Sequence, residues 1–361
     1  PAITAAVDVF ETWNECRSAA TRKHTTFDPV EETLELCVNH HNPFVRSPYE
    51  VELTEHKLKN FEGTIGVSGS NGSRDGQSKK FDRAEGQKSV SFELGTNERT
   101  AMETVEVAVD LVPLSYNRSR VVFPVGEGDV TARSDTAEGY KTIVASNGLL
   151  EIRCAPGYAP GLISCTHLGA EWLDSGFPKL APKDWWNPWV GGAMFFPAQL
   201  EARPLIREPA TAKTVELTDS KGNQWKGIQV TVTFREHEDL RGLEYDQFFM
   251  MLPQVPVLMM QARVRQNTGT HFKDFQLVSE ICPLGSENPS DITLEFLNNE
   301  RQHARINSGH EELGVQPESC ILVADRLRAS KMIHYADRRR CHVDGETQKH
   351  ATLLRTRDSV D

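Results

Sequence analysis

No apolar run in this 361-residue chain approaches the ~20 residues that a membrane-crossing helix needs. Its first residues, Pro-Ala-Ile-Thr, carry neither methionine nor the basic-then-apolar pattern of a signal peptide. The chain therefore reads as a fragment of a larger protein, with no membrane partner. Dinucleotide, P-loop and nucleophile-elbow motifs are absent, as is any alternation of strands with long amphipathic helices. A doubly wound α/β fold is excluded on that ground, and no cofactor is expected. The seven cysteines contain no Cys-x-x-Cys pair, which argues against structural zinc and a dense disulfide framework, so no metal is expected either. Several sit among apolar neighbours, as in Leu36-Cys37-Val38 and Ile281-Cys282. Free buried thiols suit a reducing compartment, and the expected location is cytoplasmic. Positive charge is also scarce. With 40 Lys and Arg against 51 Asp and Glu, the net charge of −11 argues against a nucleic-acid partner. The local exception, Arg338-Arg339-Arg340 with Arg326, Arg328 and Lys331 upstream, reads as a solvated strand end.

What the chain has in quantity is period-two alternation, the mark of a half-buried strand. Val90, Phe92 and Leu94 alternate with small or polar residues, as do Val105, Val107, Val109 and Leu111, and later Ile228, Val230, Val232 and Phe234. Leu258, Met260, Ala262 and Val264 continue the pattern, with Phe275, Leu277, Ser279 and Ile281 after them. Asn147-Gly148 has the chemistry of a tight hairpin turn. The spacing of Val9, Trp13 and Cys16 predicts a short helix over 5–18, whereas a helix start at Asp28-Pro29 competes with a strand over 34–39. Ser68 to Lys88, almost devoid of apolar residues, reads as a long exposed hairpin loop. A polar stretch over 126–138 reads as a linker. The expected fold class is mainly β: a short N-terminal helix and small β-sandwich over 1–130, then a larger half over 139–361 with room for many strands in two extensive sheets.

Three of the six tryptophans fall within five positions, Trp185, Trp186 and Trp189, in a loop that also holds Asp184, Asn187, Pro188 and Gly191-Gly192. Such a cluster either plugs a core or offers a flat surface for a ligand. Sugars fit the second role, with C–H faces on indole and hydroxyls on Asn187 or backbone. The three rings cannot all face one way, and the one nearest Val190 is expected in the core. Asp184 is the carboxylate to single out, because neighbouring rings would desolvate it. Glu171, Glu244, Asp246 and Glu280 are further acids without a distinguishing context. Among the histidines, His167, His271 and His334, the first stands closest in sequence to the tryptophans.

The half from 139 resembles the galactose mutarotase-like β-supersandwich of aldose epimerases, glycoside hydrolases and polysaccharide lyases. The likeness rests on the hairpin Ser146 to Arg153 and the aromatic loop, then on the strands Trp225–Phe234 and Tyr245–Met260 with Asn267-Thr-Gly269 beyond. The preceding half looks like the small immunoglobulin-like sandwich that often comes before such a domain. The resemblance implies a saccharide ligand, recognised by Trp185, Trp186, Asn187 and Trp189, within a larger carbohydrate-active enzyme whose other domains are partners. It offers an alternative, a sugar epimerase, lyase or glycoside hydrolase in this domain, with His167 and Asp184 as acid and base. A third reading, purely structural, makes the sandwiches interaction modules with the tryptophans buried in an interface.

Overall fold

The computed structural model describes residues 34–359 except 57–60, 70–75, 97–99, 113, 185, 201–204, 270–271, 273–274, 285–291, 299, 301, 308–310, 314, 316–320, 326–330, 335–340 and 348–351. The helix expected over 5–18 lies outside these residues, as do His271 and the arginine run. The protein is mainly β, of sandwich type, and no helix of seven or more residues occurs among the described residues. No described helix is long and apolar enough to cross a membrane. The chain divides into two compact units, 1–126 and 127–361.

The first unit contains β1 (Leu34–Val38), β2 (Phe44–Val45), β3 (Tyr49–Glu55), β4 (Glu62–Gly69), β5 (Gln77–Asp82), β6 (Ser89–Leu94), β7 (Glu103–Val112) and β8 (Leu114–Pro124). They form a three-stranded sheet, β1-β3-β6, and a five-stranded sheet, β2-β8-β7-β4-β5. Strict alternation along β7 sends Val105, Val107, Val109 and Leu111 inward, where they meet Leu34, Leu53 and Phe92 from the other sheet in one core. The competition over 34–39 resolves as strand β1, whose Leu34, Leu36 and Val38 all reach that core. Between β1 and β2, Asn39, His40 and His41 all take left-handed backbone angles. This turn is held by Asn39 Nδ2, which donates to the carbonyls of Asn42 and Phe44 at 3.1 and 2.9 Å.

The segment 68–88 is not one long loop. β5 occupies its middle, paired along its length with β4, and Phe81 fills the core. The strand escapes an apolar-pattern reading because it is an edge strand, with Ser78, Lys79 and Lys80 exposed.

The second unit contains β9 (Thr131–Ala137), β10 (Tyr140–Ser146), β11 (Leu150–Ala155), β12 (Ala159–His167), β13 (Ala170–Glu171), β14 (Ala181–Lys183), β15 (Trp186–Trp189), β16 (Ala193–Pro197), β17 (Ala210–Thr218), β18 (Gln224–Thr233), β19 (Leu243–Met251), β20 (Met259–Gln266), β21 (Gln276–Ile281), β22 (Ile292–Leu297), β23 (His303–Asn307), β24 (Glu311–Leu313), β25 (Ile321–Asp325), β26 (Lys331–His334), β27 (Cys341–Thr347) and β28 (Thr352–Ser359). A ten-stranded sheet runs β24-β27-β28-β21-β16-β12-β11-β10-β9, with β13 paired to β12. Four-stranded sheets are formed by β17-β18-β19-β20 and by β23-β22-β25-β26. The expected linker over 126–138 is largely strand: β9 pairs with β10 from Thr131↔Ser146 to Ala137↔Tyr140. Like β5, this strand is a polar sheet edge and carries no apolar alternation.

The ten-stranded and β17–β20 sheets share two apolar clusters, in which Ile152, Leu162 and Ala193 meet Ile228, Val230 and Phe249, and Met194 and Phe196 meet Val232 and Tyr245. Polar ties cross the same space. The backbone N–H of Phe195 donates to Gln247 Oε1 at 2.7 Å, and Tyr245 donates its hydroxyl to the Phe195 carbonyl at 2.9 Å. At one end, Asn147 is buried in the β10–β11 turn. Its Nδ2 donates to the carbonyls of Leu252 and Val255, both at 2.8 Å, while Oδ1 accepts from the N–H groups of Leu149 and Leu150.

Candidate functional site at the tryptophan loop

The loop folds as a two-stranded hairpin, β14 against β15, with Lys183 opposite Trp186 and Ala181 opposite Trp189. Asp184 turns the chain in the left-handed region, which Asp tolerates better than most side chains, and it is exposed. Trp186 and Trp189, three positions apart, would face opposite ways on a regular strand; a register irregularity in the pairing lets both turn inward. They are only 6% and 5% exposed, with ring centroids 5.0 Å apart and planes tilted by 56°. Cys282 and Leu353 complete their cluster. Trp189, next to Val190, is core as expected, and Trp186 is core with it. Asn187 is exposed, and Trp185 lies outside the described residues.

A buried ion pair lies among these rings. Lys183 Nζ donates to Asp174 Oδ2 and sits 5.1 Å from the centre of the Trp189 ring. The Asp174 side chain is 7% exposed. Burial pushes its carboxyl above the usual carboxylate range. Lys183 opposes that shift most strongly, the Trp189 indole opposes it further, and Asp184 adds to it. The indole N–H of Trp189 lies close enough to act on this carboxyl without meeting hydrogen-bond geometry with any acceptor. A second pair lies alongside, where Arg355 Nε of β28 donates to Glu280 Oε2 of β21 at 2.8 Å. All four charges bear on the fully buried Cys282, whose thiol is raised chiefly by burial, then by Glu280 and Asp174, against Arg355 and Lys183. That sulfur is an inert core group at neutral pH, not a nucleophile.

Glycine explains how the loop lies so close to the sheet. Gly191 and Gly192 have φ of +64° and +81°. A Cβ on Gly191 would fall 2.1 Å from the Asp174 carbonyl oxygen, and one on Gly192 would fall 2.1 Å from that of Leu162. The space a ligand might have used is thus filled by the protein's own backbone. Three backbone bonds close a ring: Gly192 N–H to Asp174 at 2.7 Å, Asp174 N–H to Cys282 at 2.7 Å, and Cys282 N–H to Gly192 at 2.9 Å.

The other sequence candidates fall elsewhere. His167 ends β12, half-buried, opposite Leu150 and Ala170. It stands five residues along β12 from Leu162, which is level with Ala193 and Ile281, a displacement of about 17 Å at the rise of a strand. His167 is therefore removed from Cys282 and its charges. Glu171 caps its own hairpin, with Oε1 accepting from the N–H groups of Cys165, Trp172 and Leu173 at 2.8 to 3.0 Å. Asp184 is exposed, so it does not have the desolvated setting expected of it, and Trp186 is buried. The desolvated acid is Asp174, ten residues earlier, whose only sequence signal was its place two residues after Trp172.

Among the described residues, no group of three or more His, Cys, Asp or Glu is placed to hold a metal ion. No protein-family model matches the chain, and no curated protein matches it.

Proposed function

We propose that the 127–361 unit is a saccharide-recognition domain, resembling the mutarotase-like domains of carbohydrate-active enzymes, and that it works at the exposed edge of the tryptophan loop. One observation carries this reading: exposed Asp184 and Asn187 stand on a hairpin whose underside is locked by two buried indoles and the Lys183–Asp174 pair. Polar groups fixed in advance lose little freedom on binding, so they recognise hydroxyls at low entropic cost. The buried indoles serve as the anchor of the loop, and Trp186 and Trp189 are not its stacking platform. Their burial also favours a second reading, in which the loop is purely architectural.

A screen of neutral mono- and oligosaccharides against the whole chain by ligand-observed NMR separates the two. Recognition gives saturable binding that weakens at least about tenfold in Asn187→Ala. Absence of binding to every saccharide would leave the architectural reading standing.

A further inference from the structure

The β17–β20 sheet turns one face to the core and carries a second charged assembly on the other. Register places Thr211, Thr231, Asp246 and Arg263 in one cross-strand row, with Lys213, Gln229, Phe248 and Gln261 in the next. Glu244 and Arg265 face each other one row further on, beside Thr233. The middle of this face is a buried floor, since Asp246 is fully buried and Gln229 and Phe248 are nearly so. Its margins are open. Lys213 and Gln261 are exposed, and the side chains of Arg263 and Arg265 are 58% and 42% exposed.

Asp246 orients both arginines from below. Its Oδ2 accepts from Arg263 Nε and Nη2 at 3.1 and 2.6 Å. Its Oδ1 accepts from Arg265 Nη2 at 3.1 Å, Gln229 at 2.8 Å and Thr231 at 2.7 Å. Arg265 also pairs with Glu244, and the Arg263 guanidinium lies 5.5 Å from the centre of the Phe248 ring. A guanidinium carries five N–H donors, and among the described residues Asp246 takes two from Arg263, which leaves donors for an outside acceptor. Three cations and two carboxylates share this face, in a chain whose net charge is −11. Fixed planar forks in a locally cationic setting match a carboxylate.

We propose that this face binds a carboxylate-bearing saccharide of the uronate type. Arg263 and Arg265 take the carboxylate, Lys213 adds attraction at longer range, and Gln261 takes a ring hydroxyl. The site is separate from the tryptophan loop and stands or falls independently of it.

Calorimetric titration of the whole chain with oligogalacturonate, its methyl ester and sodium acetate tests the proposal. The acid is expected to bind at least about tenfold more tightly than the ester, because only the acid offers an anionic acceptor to the arginines. Acetate alone is expected to bind more weakly than the oligosaccharide. Arg263→Lys keeps the charge but loses the fork, and is expected to cost about tenfold. Gln261→Ala, which makes no contact with Asp246, keeps the fold and is expected to weaken binding severalfold. The proposal is overturned by no binding of oligogalacturonate, by equal binding of acid and ester, by acetate binding as tightly as the saccharide, or by wild-type affinity in both variants. Neutral-saccharide binding and its loss in Asn187→Ala report on the tryptophan loop, so the two sites fail separately.

Discussion

Asp174 and Asp246 are both buried carboxylates of the larger unit, yet their surroundings push them in opposite directions. Asp174 has one cation beside it, Lys183, and burial wins: its carboxyl is raised. Asp246 is at least as deeply buried, but it accepts five hydrogen bonds, two of them from Arg263 and one from Arg265, and its carboxyl is lowered. Depth alone does not decide whether an acid keeps its charge; the number and charge of its donors do. The first acid belongs to a region held by packing, with indoles and glycines pressed onto backbone. The second belongs to a region held by hydrogen bonds on an open face.

The largest expected effect tests the packed region. Trp189→Ala should cost about 3–5 kcal/mol of unfolding free energy, the usual loss for a buried tryptophan, read from urea denaturation. A loss below about 1 kcal/mol would mean that the ion pair, not packing, holds the loop. Gly192→Ala comes next. Its methyl meets the Leu162 carbonyl at a positive φ, so at least about 1–3 kcal/mol should be lost, as for overpacked cores.

The sharpest comparison is the smallest in size. Asp246→Asn should cost about 1 kcal/mol at neutral pH, because the half-exposed arginines recover hydration. Asp174→Asn should cost less, because it removes a carboxylate that burial disfavours. Their pH dependences should be opposite. Asp246 titrates below its unfolded value, so its stabilisation is present above the usual carboxylate range and is lost as pH falls through its lowered pKa. Asp174 titrates above its unfolded value, so its stabilisation is fully present below that range and is lost as pH rises through its raised pKa. On acidification the gap between wild type and Asp246→Asn should therefore narrow, while that between wild type and Asp174→Asn shifts in favour of the wild type. Urea midpoints from pH 3 to 7 measure both, and gaps that move together would dissolve the contrast.

The same contrast marks how much was legible in the chain itself. Val105 to Leu111 and Ile228 to Phe234 show their faces by alternation alone, because a strand with one buried side writes its period directly into the residues. Edge strands β5 and β9 do not, since they bury little and keep polar side chains outward. The tryptophan cluster was conspicuous, but its density carries no direction: only the hairpin register turns Trp186 and Trp189 inward. Glu280 and Arg355 lie 75 residues apart, and Asp174 reaches Cys282 through backbone bonds across more than a hundred. Meetings of that kind are set by strand order, which no local pattern encodes.

Asn147 ties the β10–β11 turn to the chain just beyond β19 through a single amide, and its neighbour is Gly148. Asn-Gly is the dipeptide most exposed to spontaneous deamidation in ageing proteins. At this position the reaction would exchange an NH2 that donates twice for a carboxylate oxygen set against two carbonyls, those of Leu252 and Val255. Chemical wear at one side chain would thus loosen this tie between the β10–β11 turn and the end of β19, and the age of a protein sample becomes a variable in any measurement of its stability.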